Sequence, residues 1–284
     1  MEEKILQGKK NGMLVLVITT LLYIAAGIGL VFSIWADNIV LLVVTIVWLA
    51  IGWIPWLGLK VLKPQEALVL TLFGKYYGTL KDDGFYFVNP FCVGVNPAAQ
   101  TKLNQSGDVN SHKKSAFNLT LGSGADAAAQ SSEMTSKKIS MKIMTLNNNK
   151  QKINDCLGNP VEIGIAVMWR VTNTAKAVFN VDNYKEYLSL QCDSALRNIV
   201  RIYPYDVAPG VDTTGDGIAD EGSLRGSSEV VAQRIKDEIQ SKVGDAGLEI
   251  IEARITYLAY APEIAAVMLQ RQQASAVVDA RTMI

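Results

Sequence analysis

Charge is absent from two long stretches near the start of the chain. Met13 to Trp35 (MLVLVITTLLYIAAGIGLVFSIW) carries none, and neither does Ile39 to Leu59 (IVLLVVTIVWLAIGWIPWLGL). At about 1.5 Å of rise per residue, each is long enough to cross a hydrocarbon core of roughly 30 Å as a helix. Their Leu, Ile, Val and Phe residues favour insertion by about 0.3 to 0.6 kcal/mol apiece near the midplane. A pair of buried core helices is the first alternative, but soluble cores rarely run charge-free for so long. A cleaved signal peptide is the second. The first segment is longer than an ordinary signal core, and no clear cleavage motif follows it.

Only Ala36, Asp37 and Asn38 join the two segments, so they are expected to form a tight hairpin. Both outer ends then lie on one side, with Lys4, Lys9, Lys10, Lys60 and Lys63, while the tip holds one acid and no base. The positive-inside rule places that side, and everything after Lys60, in the cytoplasm of a cell membrane. A hairpin that dips in without crossing gives the same sidedness. Trp35, Trp53 and Trp56 sit near segment ends, where indoles favour the interface; Trp48 lies nearer the middle. Pro55 is expected to kink the second segment.

Beyond the apolar pair the period shifts. Gln65 to Phe73 (QEALVLTLF) reads as a strand, and turn signals at Gly74, Gly78 and Asp82-Asp83-Gly84 bracket YYGTL and FYFV, which predicts a small meander closed by Asn89-Pro90. From Gly94 to Lys137 the chain is rich in Ser, Asn, Ala, Gly and Gln, and reads as a flexible insertion. Ile139 to Leu146 is extended. In Val161 to Val171 (VEIGIAVMWRV), Val161, Ile163, Ile165, Val167, Trp169 and Val171 alternate onto one face of a strand.

Helical spacing follows. Tyr184, Tyr187, Leu188, Cys192, Ala195, Leu196, Ile199 and Val200 mark an amphipathic helix over Asn183 to Ile202, ended by Pro204. Val230, Val231, Ile235, Ile239 and Val243 predict the buried stripe of a second helix, ended by Gly244 and Gly247. Leu248 to Tyr260 is extended again, and a last helix starts at Pro262, where proline suits the first turn. The part after the apolar pair is therefore α+β.

Composition adds mostly exclusions. Lys plus Arg and Asp plus Glu number 27 each, so no global field draws the chain to nucleic acid. The three cysteines, Cys92, Cys156 and Cys192, are scattered without a CxxC pair, which fits a reducing compartment and no disulfide framework. Cys192 falls on the apolar stripe of its helix, as a core residue does. The one histidine, His112, lies in the expected insertion, a poor place for a positioned base. Asn118-Leu119-Thr120 forms a glycosylation sequon there, without meaning for a cytoplasmic loop. No P-loop, GxSxG or HExxH motif is present, so no catalytic residues and no cofactor are assigned. VDTTGDGIADEG resembles a calcium loop, with Asp212, Asp216 and Asp220 as weak metal candidates. Its twelfth position is Ser223 instead of a bidentate Glu, so a solvated acidic turn is the plainer reading.

The ordered segments carry a resemblance. KPQEALVLTLFGKYYGTLKDDGFYFVNPF, GNPVEIGIAVMWRVTNTAKAVFNVDNY, ALRNIVRIYPYD and GLEIIEARITYLAYAPEIAAVMLQRQQASAVVDAR resemble the stomatin–prohibitin–flotillin (SPFH, band 7) family, bacterial members in particular. The resemblance runs from about Lys63 to Ile284 and implies a strand-rich first part, an α/β second part and a coiled-coil arm. It also implies a non-enzymatic, membrane-anchored scaffold that homo-oligomerises laterally into rings or cages and organises a patch of membrane. Membrane lipid and further copies of the chain would be its partners. A regulatory module for a membrane protease or channel is the alternative. The expected layout is an N-terminus over 1–12, a two-helix membrane hairpin over 13–60, an SPFH domain over 61–261 with its insertion at 94–137, and the start of a coiled-coil helix over 262–284 that looks truncated. Ala265, Ala266, Ala274, Ala276 and Ala280 would let neighbouring helices approach closely there, and Arg271, Asp279 and Arg281 would pair across subunits.

Overall fold

A computed structural model describes residues 2–6, 10–36, 38–101, 103, 136–148, 150–206 and 222–282. They fall into two compact units. The first runs to Gln100 and takes in 136–142 and 173–182; the second takes in 143–172 and the chain from Asn183 onward.

The first unit opens with the apolar helices α1 (Gly12–Trp35) and α2 (Ile39–Ile51) and a single helical turn, α3 (Ile54–Leu57). The second apolar segment is thus not one continuous helix. It stops at Ile51 and restarts at Ile54, and Pro55 occupies the first turn of α3, where its missing N–H has no partner to lose. Asn38 caps α2, its side chain accepting the Leu41 N–H at 3.3 Å.

Strands β1 (Leu59–Leu62), β2 (Glu66–Leu72), β3 (Lys75–Leu80), β4 (Gly84–Phe87) and β5 (Cys92–Gly94) follow. The expected meander is not formed: β4 pairs with β1, while β2 is flanked by β3 and β5. Asn89-Pro90 does not end the sheet either, because β5 comes after it. Leu62, Leu68, Leu70, Leu80, Tyr86 and Cys92 bury a common core that binds the β1–β4 ribbon to the larger sheet. A two-residue strand, β6 (Ile139–Ser140), adds to β2. The predicted Ile139 to Leu146 strand is therefore two short strands in different sheets.

The second unit is built on β9 (Pro160–Val171), which pairs with β7 (Met144–Asn147), β8 (Gln151–Asn154) and β10 (Leu248–Tyr260). The predicted face is buried: Val161, Ile163, Ile165, Val167 and Trp169 have no exposure, and Val171 is 1% exposed. Tyr184 meets the Trp169 ring edge-on at 6.2 Å. A short helix of the first unit, α4 (Thr174–Phe179), precedes α5 (Tyr184–Val200), whose N-cap Asn183 accepts the Lys185 and Glu186 N–H groups. Leu188, Cys192, Leu196 and Val200 on α5 are fully buried, as are Val231, Ile235, Ile239 and Val243 on α6 (Ser228–Val243).

Val230 departs from the predicted stripe, being 50% exposed. Adjacent residues on a helix stand about 100° apart, so Val230 and Val231 cannot share one narrow face. The chain ends in α7 (Pro262–Thr282), on which Val267 and Leu269 are exposed. The Ala276, Asp279, Ala280 and Arg281 side chains lie outside the described residues, as does most of the 94–137 segment with His112 and the Asn118 sequon.

Truncating Ile235 to Ala should destabilise the second unit by about 2–5 kcal/mol, through lost burial and an unfilled cavity. Val230→Ala should stay within about 0.5 kcal/mol. Denaturant unfolding of the detergent-solubilised protein measures both; equal losses would contradict the assigned face of α6.

Candidate membrane interface

Hydrocarbon offers no water to backbone or hydroxyl groups, so a segment that enters it must satisfy them internally. The apolar helices do so. Thr19 Oγ1 donates to Val15 O at 2.8 Å, Thr20 Oγ1 to Leu16 O at 2.7 Å, Ser33 Oγ to Leu30 O at 2.7 Å and Thr45 Oγ1 to Leu42 O at 2.9 Å. Tyr23 Oη reaches across to Leu49 O at 2.9 Å, and Trp56 Nε1 donates to Thr19 Oγ1 at 2.9 Å.

These contacts also fix the packing. Tyr23 meets Leu49, and Gly29 lies opposite Thr45, so the two helices run antiparallel. Ala26 and Ser33 are buried on α1 and Thr45 on α2, a seam of small side chains that lets the backbones approach. Nearly everything else on the pair is apolar and outward. Leu14, Leu21, Ile28 and Val31 are exposed around α1, as are Val40, Val43 and Val47 on α2. A helix that is apolar all round belongs in a core or a bilayer, and a continuous exposed apolar surface marks an interaction or membrane site. Gly12–Trp35 and Ile39–Leu57, with mean hydropathies of 2.5 and 2.4, both have the length and composition to cross a membrane.

The feet of the helices are tied closely to the β1–β4 ribbon. Gly12 lies against Phe85, so near that a Cβ there would stand 2.8 Å from the Phe85 backbone; at Gly58 a Cβ would come within 2.3 Å of Val88 O. Both positions need glycine for close approach, not for unusual backbone angles. Gly58 O accepts the Val88 N–H at 2.9 Å, so α3 passes into the ribbon with one residue between helix and strand. Of the indoles, Trp35 closes α1, Trp53 and Trp56 flank this foot, and Trp48 lies within α2 one turn before Gly52.

Sequence reasoning missed the role of the first residues, expected only as an N-terminal extension. Ile5 forms a parallel bridge to Thr79, with Leu6 N–H donating to Thr79 O at 2.9 Å and Thr79 N–H to Lys4 O at 2.9 Å. Glu3, with a side chain 10% exposed, holds Lys81 Nζ at 2.6 Å and accepts the Thr174 N–H at 3.1 Å and its hydroxyl at 2.5 Å. The carboxylate therefore sits at the N-terminus of α4, where the helix dipole favours an anion. Acidic residues near a terminus are common, so no local signal marks this one.

The metal candidates Asp212, Asp216 and Asp220 lie outside the described residues. Ser223, at the motif's twelfth position, is 1% exposed and accepts the Gly226 N–H at 2.8 Å, which commits its hydroxyl to the turn before α6. Among the described residues no three His, Cys, Asp or Glu side chains cluster to hold a metal ion. Burial pushes the Cys192 thiol up to about 12, helped by the nearby Asp193 carboxylate, so it is an inert core group.

The model of the SPFH domain / Band 7 family matches residues 60–282, beginning where the second apolar stretch ends. The chain therefore belongs to the SPFH domain / Band 7 family. No curated protein matches it.

Replacing Glu3 by Ala should release the N-terminal pairing, at a local cost of about 1–3 kcal/mol for the donors it leaves behind. The Thr79 amide should then exchange faster with deuterium while the β2–β3 amides keep their rates. An unchanged Thr79 rate would show that Glu3 does not hold the segment.

Proposed function

We propose that this chain is a non-catalytic membrane scaffold, anchored by a helical hairpin, that associates side by side with further copies and organises the membrane around it. The observation that carries the reading is the joint between an outward-facing apolar helix pair and an SPFH domain, made through the single residue Gly58. So short a joint holds the sheet of the first unit close to the bilayer surface, which favours lateral contacts between copies. The basic flanks Lys4, Lys9, Lys10, Lys60 and Lys63, against the acidic tip at Asp37, support a cytoplasmic placement. Val267 and Leu269, exposed on different sides of α7, are apolar surface that neighbouring copies would cover.

The test is the mass of the particle extracted from membranes in mild detergent. A large, uniform particle containing this chain alone is expected. A small particle with a stoichiometric second protein would favour the regulator of a membrane protease or channel, and a bare monomer would overturn the scaffold.

A further inference from the structure

Two aromatic side chains stand out from the first unit with no core to enter. Phe73 is 84% exposed and Phe91 58% exposed, and their rings stack at 6.1 Å with 25° between the planes. Phe73 and Gly74 form the two-residue turn from β2 to β3, with φ of 49° and 81°. Two successive left-handed residues make the turn in which Asn-Gly is the least strained choice. A phenylalanine at its first position costs of order 1 kcal/mol. It gains only the stack on Phe91 in return, so the stability of the unit gives no reason for it.

The position of the pair supplies one. Val88 is hydrogen-bonded to Gly58 at the foot of α3, and Phe87 pairs with Leu59. The chain then turns back, Cys92 N–H donating to Asn89 O at 2.9 Å, with Phe91 in that turn, three residues after Val88. Lys60, the first charge after the second apolar stretch, lies close enough to lower the Cys92 thiol against the larger upward push of burial. Phe91 thus stands at the level where that stretch ends. Val93, on β5 just after Phe91, is 53% exposed, and Lys75 follows the Phe73 turn on the surface. Exposed aromatics beside the exposed Lys75 and the half-buried Lys60, level with the end of a membrane helix, match the chemistry of the headgroup boundary.

We infer that the stacked Phe73–Phe91 pair is a second membrane contact, seated in the boundary between lipid headgroups and acyl chains of the leaflet that Lys60 faces. It rests on the reading of α1 and α2 as membrane helices. With the feet at Gly12 and Gly58, it holds the first unit at three points and so sets its tilt against the bilayer.

The experiment uses the full chain in phosphatidylcholine vesicles, with Cys156→Ser removing the exposed native thiol. An environment-sensitive fluorophore is attached at Phe73→Cys, at Ile28→Cys in the middle of α1, or at Asp82→Cys at the far end of β3. The label at position 73 should lie about 5–10 Å into the boundary. It should lose fluorescence to quenchers on shallow lipid positions and be shielded from dissolved iodide, which quenches the label at 82. If position 28 is quenched by deep lipid quenchers while 73 behaves as 82 does, the inference is overturned and the membrane anchor stands. If neither 28 nor 73 meets a lipid quencher, the anchor itself fails. A second variant guards against a label that distorts the turn. Phe73→Asn should keep or raise the melting temperature in detergent; a fall of the size seen for a core residue would make Phe73 a packing residue and overturn the inference.

Discussion

One residue separates the membrane-type helix from the sheet. α3 ends at Leu57 and β1 begins at Leu59, and Gly58 can fill the gap only because it carries no side chain against Val88. Polar backbone cannot leave a hydrocarbon phase unpaired, and here the passage from helical to sheet hydrogen bonding is completed by the bond between Gly58 O and Val88 N–H. The rest of the first unit is arranged around this joint. The β1–β4 ribbon continues it, the shared core of Leu62, Leu70, Leu80 and Tyr86 fastens the ribbon to β2, and Gly12 brings the other helix down beside Phe85.

The N-terminal segment closes the arrangement from the opposite direction. Lys4 and Leu6 pair with Thr79 on β3, and the Glu3 carboxylate gathers a lysine and the first turn of α4. Residues at both ends of the helix pair are thereby held in one unit.

Much of this was legible in the sequence where the signal is local. The alternation in Val161–Val171 and the stripe of α5 gave their elements and buried faces directly, because one period decided each. What escaped depends on pairing between distant residues. Nothing local says that β4 joins β1 instead of β3, or that Ile5 lies beside Thr79. The strands β5 and β8 and the helix α4 are too short for periodicity to show. In α6 the error was of phase: Val230 and Val231 are equally apolar, and only packing shows which of them faces inward. At the membrane face, the sequence marked the tryptophans and lysines but not Phe73. A Phe-Gly pair reads as an ordinary turn until its backbone is seen to be left-handed and its ring outside the core.

The claim on which the account turns is that the helix pair crosses the bilayer and leaves the SPFH domain on the side of its basic flanks. Labelling with a membrane-impermeant maleimide on sealed vesicles of known orientation tests it directly, using Asp37→Cys at the tip and the exposed native Cys156 in the domain. The account predicts that position 37 reacts only from the outer face of the cell membrane and Cys156 only from the cytoplasmic face. Reaction of both from the same face, or a tip protected from both, would contradict it.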